Sequence, residues 1–70
     1  SVSIERDQNT LIYRLENHRE ILLHYIKCEG GIEKFPLHQG TLIFPSQKVL
    51  TEENDILVDQ PGIYIVKLKK

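Results

Sequence analysis

The 70-residue sequence lacks most of the features that stabilise or anchor small proteins. It contains one cysteine, Cys28, and neither methionine nor tryptophan, so no disulfide can form within the chain. A lone cysteine is typical of a reducing compartment, and we expect a cytoplasmic protein. The apolar runs are short, as at 21–23, whereas a membrane helix needs about 20 apolar residues. We therefore expect a soluble protein, and the start of the sequence has no signal-peptide pattern.

An excess of positive charge is also missing. Nine lysines and arginines stand against ten aspartates and glutamates, which gives a net charge of −1. Nucleic-acid-binding domains usually carry a basic excess, and the only basic cluster here is Lys67, Lys69 and Lys70. Binding to nucleic acid is therefore compatible with the charge but not favoured, and binding to a membrane surface has less support still.

The length predicts a single domain over residues 1–70. A chain of this size buries only roughly 60 % of the surface that its unfolded form exposes. Its core alone is marginal, and small domains often add a disulfide, a metal or an oligomer interface. Because a single cysteine excludes an internal disulfide, we expect a homo-oligomer or an accessory to a larger protein.

Turn-forming residues divide the chain into short segments. They cluster at 7–9, 17–18, 29–31, 39–40, 53–55 and 60–62. Most spacings are about 8–12 residues, which is typical of small barrels and sandwiches. The segments between the turns have strand character, most clearly at 63–68, and no proline interrupts one of them. The sequence therefore predicts an all-β fold, a small six- to seven-stranded barrel or sandwich.

Residues 10–28 allow two interpretations. As a helix, several of their leucines would share one face, and the fold would be α+β, with one helix at about 10–28 packed on a sheet. As a hairpin, the five polar residues at 16–20 would form the connection, where Asn17 suits the first position of a tight turn. The alternating apolar residues at 11–15 and 21–25 would then match across it. We favour the hairpin.

The second arm of this hairpin is apolar on both sides. Its odd-numbered positions are Ile21, Leu23 and Tyr25, and its even-numbered positions are Leu22, His24, Ile26 and Cys28. Such a strand is typically buried on both faces, which a small chain cannot easily arrange without a second sheet or a partner subunit. The segment 63–68 repeats the feature. We therefore predict self-association through strands that are apolar on both faces.

His24 and Cys28 are the most suggestive pair for a metal site. On a helix their four-residue spacing would bring both to one ion, whereas on a strand it separates them by about 13 Å. The hairpin therefore argues against a shared metal. No serine, threonine or cysteine lies in a recognisable nucleophile motif. We predict no catalytic residue, no metal site and no cofactor, and a protein that is not an enzyme.

Ile21, Leu22 and Tyr25 form an Ile-Leu-x-x-Tyr pattern, and residues 44–52 read Phe-Pro-x-Gln-Lys-Val-Leu-x-Glu. This pair of motifs resembles a small cyanobacterial domain family of unknown function. The family tends to have cysteines where this chain has Leu23 and His24. The resemblance spans about half the chain. It implies a soluble β-rich protein and transfers neither a function nor a site.

The sequence thus predicts a non-catalytic interaction or regulatory module that binds a second copy of itself or a larger protein. The residues that we expect at the interaction surface are Arg14, Arg19, His24, Tyr25 and Lys48. The alternative is a small barrel that regulates transcription or translation by binding single-stranded nucleic acid. Such barrels stack bases on aromatic side chains beside basic ones.

Overall fold

A computed structural model describes residues 2–7, 10–45 and 49–69 of the chain. Its strands are β1 (Val2–Asp7), β2 (Thr10–Glu16), β3 (Glu20–Lys27), β4 (Glu33–Pro36), β5 (Thr41–Phe44), β6 (Leu50–Glu52), β7 (Asp55–Val58) and β8 (Gly62–Lys69). These residues contain no helix, and hence none that is long and apolar enough to cross a membrane.

The strands form two antiparallel sheets. One has five strands in the order β1-β2-β3-β8-β5, and the other has three in the order β4-β7-β6. The predicted all-β class is confirmed, and the arrangement is a small sandwich-like fold. The described residues form eight strands, whereas the sequence predicts six or seven. The strand that was missed is β6, whose three residues are all exposed and carry no apolar alternation.

The hairpin predicted for residues 10–28 is present as β2 and β3, and the helix is not. Asn17 makes the turn: its side-chain oxygen accepts hydrogen bonds from the backbone N–H groups of Arg19 at 2.9 Å and Glu20 at 3.0 Å. The Asn17 backbone N–H donates to the Glu20 carbonyl at 3.1 Å. Asparagine side chains that satisfy nearby backbone donors in this way compete with helix formation and favour turns.

The register of the hairpin differs from the expected matching of residues 11–15 with 21–25. Leu15 lies opposite Leu22, and Tyr13 lies opposite His24. Residues directly opposite each other point to the same side of a sheet. The odd-numbered residues of β2 therefore share a face with the even-numbered residues of β3.

The hydrophobic core lies between the two sheets. Its buried members are Leu23, Tyr25, Phe35, Ile56, Val58, Tyr64 and Val66. The rings of Tyr25 and Phe35 stack across the sandwich, with centroids 4.6 Å apart and planes 4° from parallel. We call the side of the five-stranded sheet that faces this core the inner face, and the opposite side the outer face.

One charged side chain is buried at an end of the inner face. The Lys27 side chain has no exposed area, and its ammonium donates a hydrogen bond to the Glu29 carbonyl. The Glu33 carboxylate lies 4.0 Å away and accepts a hydrogen bond from the Thr10 hydroxyl at 2.9 Å. A buried ammonium is tolerated when it is paired and hydrogen-bonded, so these contacts are what hold Lys27 inside.

Candidate interaction surface

The outer face consists of three long rows of side chains that follow the strand pairing, with the pair Glu20 and Lys69 beyond the second row. The middle row is Ile4, Tyr13, His24, Ile65 and Phe44. The second row is Val2, Leu15, Leu22, Lys67 and Thr41. The third row is Arg6, Leu11, Ile26 and Ile63. Most of these residues are apolar, and every strand of the large sheet contributes to the outer face.

Nothing among the described residues buries this face. None of the residues in the three rows is fully buried, and Val2, Ile4, Phe44 and Ile63 are 45–66 % exposed. The inner positions on the same strands behave differently, since Tyr25 is 2 % exposed and Val66 is fully buried. The outer face is therefore an extended apolar surface of the kind that marks interaction sites.

The charged groups of this face lie outside its middle row. Lys67 forms an ion pair of 3.3 Å with Glu20, and Glu20 lies opposite Lys69 across the β3–β8 pairing. Arg6 ends the third row on β1. In the middle row, the side chain that can carry a positive charge is His24. An apolar centre with a polar rim is the usual anatomy of a protein interface.

His24 lies in the middle of this apolar surface. Its ring meets the Tyr13 ring edge to face, with centroids 5.6 Å apart and planes at 84°. Its Nδ1 atom is buried and has no hydrogen-bond partner among the described residues. The side chain as a whole is partly exposed, so the rest of the ring is open to the outer side.

The structure does not bring the predicted site residues to one surface. Only His24 lies on the outer face. Arg14 is on the opposite side of the sheet, where it pairs with Glu16 at 3.0 Å. Arg19 is exposed in the β2–β3 turn, and Lys48 lies outside the described residues.

Tyr25, the remaining predicted site residue, belongs to the core. Its hydroxyl donates to the Pro36 carbonyl at 2.8 Å. Burial, reinforced by the charge of Asp55, raises the pKa of Tyr25 to about 12. Tyr25 is therefore a neutral hydrogen-bond donor at neutral pH and cannot serve as a base there. Burial likewise raises the pKa of Tyr64, helped by Asp59.

Arg14 and Tyr25 do meet in a shallow cleft beside the core. Its volume is about 300 Å³, and its lining is Ser3, Glu5, Ile12, Arg14, Leu23, Tyr25, Pro36 and His38. The lining combines inner-face residues of β1, β2 and β3 with Pro36 at the end of β4 and His38 in the turn after it. Arg14 is occupied by Glu16 and Tyr25 by Pro36, so the two predicted residues already have partners within the chain.

The structure also separates His24 from Cys28. His24 is within β3, and Cys28 is exposed one residue beyond its end, so the strand spacing of about 13 Å applies to the pair. Over residues 2–7, 10–45 and 49–69, no group of three or more His, Cys, Asp or Glu side chains is arranged to hold a metal ion.

The aliphatic side chains of the outer face were not among the predicted site residues. The signal was present, because β3 and 63–68 were recognised as apolar on both sides. That pattern identifies the strands that have an uncovered side. It does not say which side is covered, since the choice depends on strand pairing across the whole chain.

Comparison with known proteins adds no relative. No protein-family model, no curated protein and no solved structure matches this chain. The resemblance to a cyanobacterial domain family stays a prediction.

Proposed function

We propose that this protein is a non-catalytic interaction module that self-associates by packing the outer faces of two copies against each other. The observation that carries the proposal is the continuity of the apolar middle row. This row runs from Ile4 on one edge strand to Phe44 on the other. Along a strand whose sheet has one solvent-facing side, apolar residues normally alternate with polar ones, and the polar residues face the solvent. Here the central strands are mainly apolar on both sides.

The size of the outer face supports a dimer. Strands lie about 4.8 Å apart and rise about 3.3 Å per residue, so five strands of this length cover roughly 500 Å². Two such faces would together bury about 1,000 Å², to which interdigitating side chains would add, and this is about the minimum area expected of a biological interface. Sheets that pack face to face do so about 10 Å apart with interdigitating side chains.

Symmetry favours two copies over an open polymer. When the same face is used by both partners, the interface is isologous and closes after two copies. The second copy would cover the outer face as the three-stranded sheet covers the inner face. It would also supply the apolar burial that a chain of 70 residues has difficulty in supplying alone.

The composition of the outer face favours protein over nucleic acid as the partner. Its aliphatic side chains outnumber its aromatic ones, which are Tyr13 and Phe44. Tyr25, Phe35 and Tyr64 pack against one another in the core and leave no ladder for base stacking. Among the described residues, the rim carries the basic side chains Arg6, Lys67 and Lys69 and the acidic side chain Glu20. Nucleic-acid binding is therefore the alternative.

Sedimentation equilibrium from about 1 µM to about 200 µM tests the proposal, because association makes the apparent mass depend on concentration. Two matched variants localise the interface. Ile4→Lys puts a charge on the outer face at a position that is 66 % exposed, and Ile32→Lys puts one in the β3–β4 connection at a position that is 79 % exposed. We expect Ile4→Lys to raise the dissociation constant at least about tenfold and Ile32→Lys to leave it unchanged.

A protein that remains monomeric over this range would contradict the proposal, as would equal effects of the two variants. The same preparations can be titrated with a mixed-sequence single-stranded oligonucleotide at low and high salt. Binding that weakens steeply with salt in a monomeric protein would replace the proposed function by the alternative.

The proposed location is the cytoplasm. The support is the single cysteine, which is exposed and free and suits a reducing compartment. A regulatory role would follow from a dimer whose population changes with conditions.

A further inference from the structure

The centre of the outer face is an ionisable residue. β3 is the third of the five strands, and His24 is the middle member of the middle row. Its outer-face neighbours along β3 are Leu22 and Ile26, and its neighbours across the strands are Tyr13 and Ile65. A histidine in this position is surrounded by apolar and aromatic groups on all four sides.

None of the ion pairs and hydrogen bonds between described residues joins a carboxylate to His24. The titratable and charged groups that face the outer side from its own strand and from the two strands packed against it are Tyr13 on β2, Glu20 on β3, and Lys67 and Lys69 on β8. The Glu20 backbone is about 13 Å from that of His24 along the strand, and the Glu20 carboxylate is engaged at 3.3 Å by Lys67, which lies opposite Leu22. Arg6 on β1 adds positive charge. Among the described residues, an imidazolium at position 24 would therefore meet no carboxylate that is not already paired with a lysine.

We propose that self-association through the outer face is controlled by the protonation of His24, so that the neutral imidazole permits the dimer and the imidazolium opposes it. This inference rests on the proposed function. A two-fold axis through the middle of an isologous face brings its centre against the same centre in the second copy. The two His24 rings would then meet in a dehydrated apolar environment.

The physical cost falls on the charged form. Nδ1 is already buried without a hydrogen-bond partner among the described residues of the single chain. In the proposed dimer, the second copy would also cover the part of the ring that is still exposed. Burying an unpaired charge is strongly unfavourable, and two like charges near one axis repel each other. The neutral ring packs as a flat, largely apolar group.

The direction of the pH effect follows from this cost. Histidine is the side chain that changes its charge between pH 5 and 8. The protonated form accumulates as the pH falls, and it disfavours the dimer, so the dissociation constant rises on acidification. Each proton that must be released per dimer changes the constant by up to tenfold per pH unit.

The other two histidines serve as internal controls. His18 lies in the β2–β3 turn and His38 in the turn after β4, and both are exposed. Neither belongs to the three rows of the outer face. His18→Gln and His38→Gln each remove an imidazole without touching the proposed interface.

Sedimentation equilibrium at about pH 7.5 and about pH 5.5 tests the inference. For the native sequence, His18→Gln and His38→Gln, we expect the dissociation constant to rise at least about tenfold on acidification. His24→Phe keeps an aromatic ring without a charge and should give the same dissociation constant at both pH values. His24→Gln should also be insensitive to pH, and circular dichroism establishes that both variants fold.

The outcomes separate this inference from the function on which it rests. A dimer with the same dissociation constant at both pH values overturns the role of His24 and leaves self-association in place. A His24→Phe or His24→Gln dimer that keeps the pH dependence of the native sequence does the same. A protein that is monomeric at every pH removes the proposed function and this inference with it.

Discussion

The two faces of the five-stranded sheet are built by the same strands but differ in how their apolar side chains are used. On the inner face, the apolar residues are concentrated on the strands that the three-stranded sheet covers. Apolar character is strongest on β3 and β8, where Leu23 and Val66 pack against the three-stranded sheet. It gives way on β1 to Ser3 and Glu5, which are exposed and line the cleft.

The outer face does not follow this rule. It stays apolar as far as β1, where Val2 is 56 % and Ile4 is 66 % exposed. The same edge strand thus carries polar residues at inner positions 3 and 5 and apolar residues at outer positions 2 and 4, and only the outer position 6, at its end, is charged. The inner face teaches that uncovered positions of this sheet carry polar residues. By that standard the outer face has the composition of a covered one, which supports the proposal that a second copy covers it.

The largest expected contrast between the faces comes from two adjacent leucines on β3. Leu23 is 7 % exposed in the core, and Leu22 is partly exposed on the outer face. Leu23→Ala should lower the free energy of unfolding by about 2–4 kcal/mol through lost contacts and a cavity. Leu22→Ala should cost less than about 1 kcal/mol in the monomer. Urea unfolding at about 1 µM protein measures both.

The same pair should reverse its order in self-association. Leu22→Ala should weaken the dimer in sedimentation, while folded Leu23→Ala should associate like the native sequence. Equal losses of unfolding free energy in the two variants would mean that the chain itself covers the outer face as it covers the inner face, and the proposed difference between the two faces would be wrong.

Much of this fold could be predicted from local patterns. The polar residues at 16–20, with Asn17 as turn former, indicate the hairpin, and the alternation at 63–68 indicates β8. β6 could not be predicted, because Leu50–Glu52 has no buried residue and exists only by pairing with β7. The division into two sheets also depends on pairings between distant segments, such as β3 with β8.

The candidate site depended on one feature that local patterns do not fix. A strand register that slips by one residue moves every side chain to the other face. Arg14 and His24 were predicted to share a surface, but Arg14 lies opposite Leu23 and His24 opposite Tyr13. Their separation follows from the length of the turn. The apolar character of both sides of β3 was visible in the sequence, and it is this feature that the proposed function uses.

The buried charge on the inner face provides a second contrast. Glu33→Ala would leave the Lys27 ammonium enclosed, with the Glu29 carbonyl as its hydrogen-bond acceptor. Removing one partner of a buried pair is strongly destabilising. Because the ion pair is long, at 4.0 Å, and the Glu33 side chain is 35 % exposed, we expect a loss of about 2 kcal/mol.

A second substitution identifies the cause of that loss. Adding Lys27→Met to Glu33→Ala removes the unpaired charge and should restore at least half of the lost unfolding free energy. A double variant that is no more stable than Glu33→Ala would show that the packing of Glu33, and not the charge of Lys27, is what matters.

The inner face should also make stability sensitive to alkaline pH. Burial raises the pKa of Tyr25 from 10.0 to about 12, with a further contribution from Asp55. A pKa that is higher in the folded state adds stability that is complete below pH 10 and is lost as the pH rises towards 12. Between about pH 9 and pH 11 this tyrosine should account for a loss of about 1 kcal/mol.

Urea unfolding of Tyr25→Phe at the same pH values tests this assignment. The variant should start about 1 kcal/mol less stable, because the Pro36 carbonyl loses its hydrogen bond. Its further decline with pH should be smaller than that of the native sequence, although not absent, since the pKa of Tyr64 is raised as well. An unchanged decline would rule out Tyr25 as its source.

The smallest effect is expected at the rim of the outer face, where Glu20 and Lys67 form an ion pair of 3.3 Å with both side chains at least 30 % exposed. Exposed pairs of this kind contribute between about 0 and 1 kcal/mol. Glu20→Gln should therefore change the free energy of unfolding by less than about 0.5 kcal/mol, as measured by urea unfolding at low and high salt. It should also leave the pH dependence of self-association intact, because Glu20 does not contact His24. Two outcomes would contradict this expectation: a large loss of unfolding free energy, or a dimer whose dissociation constant no longer depends on pH. Either would mean that the charged groups of the rim are coupled to His24 at the centre of the outer face.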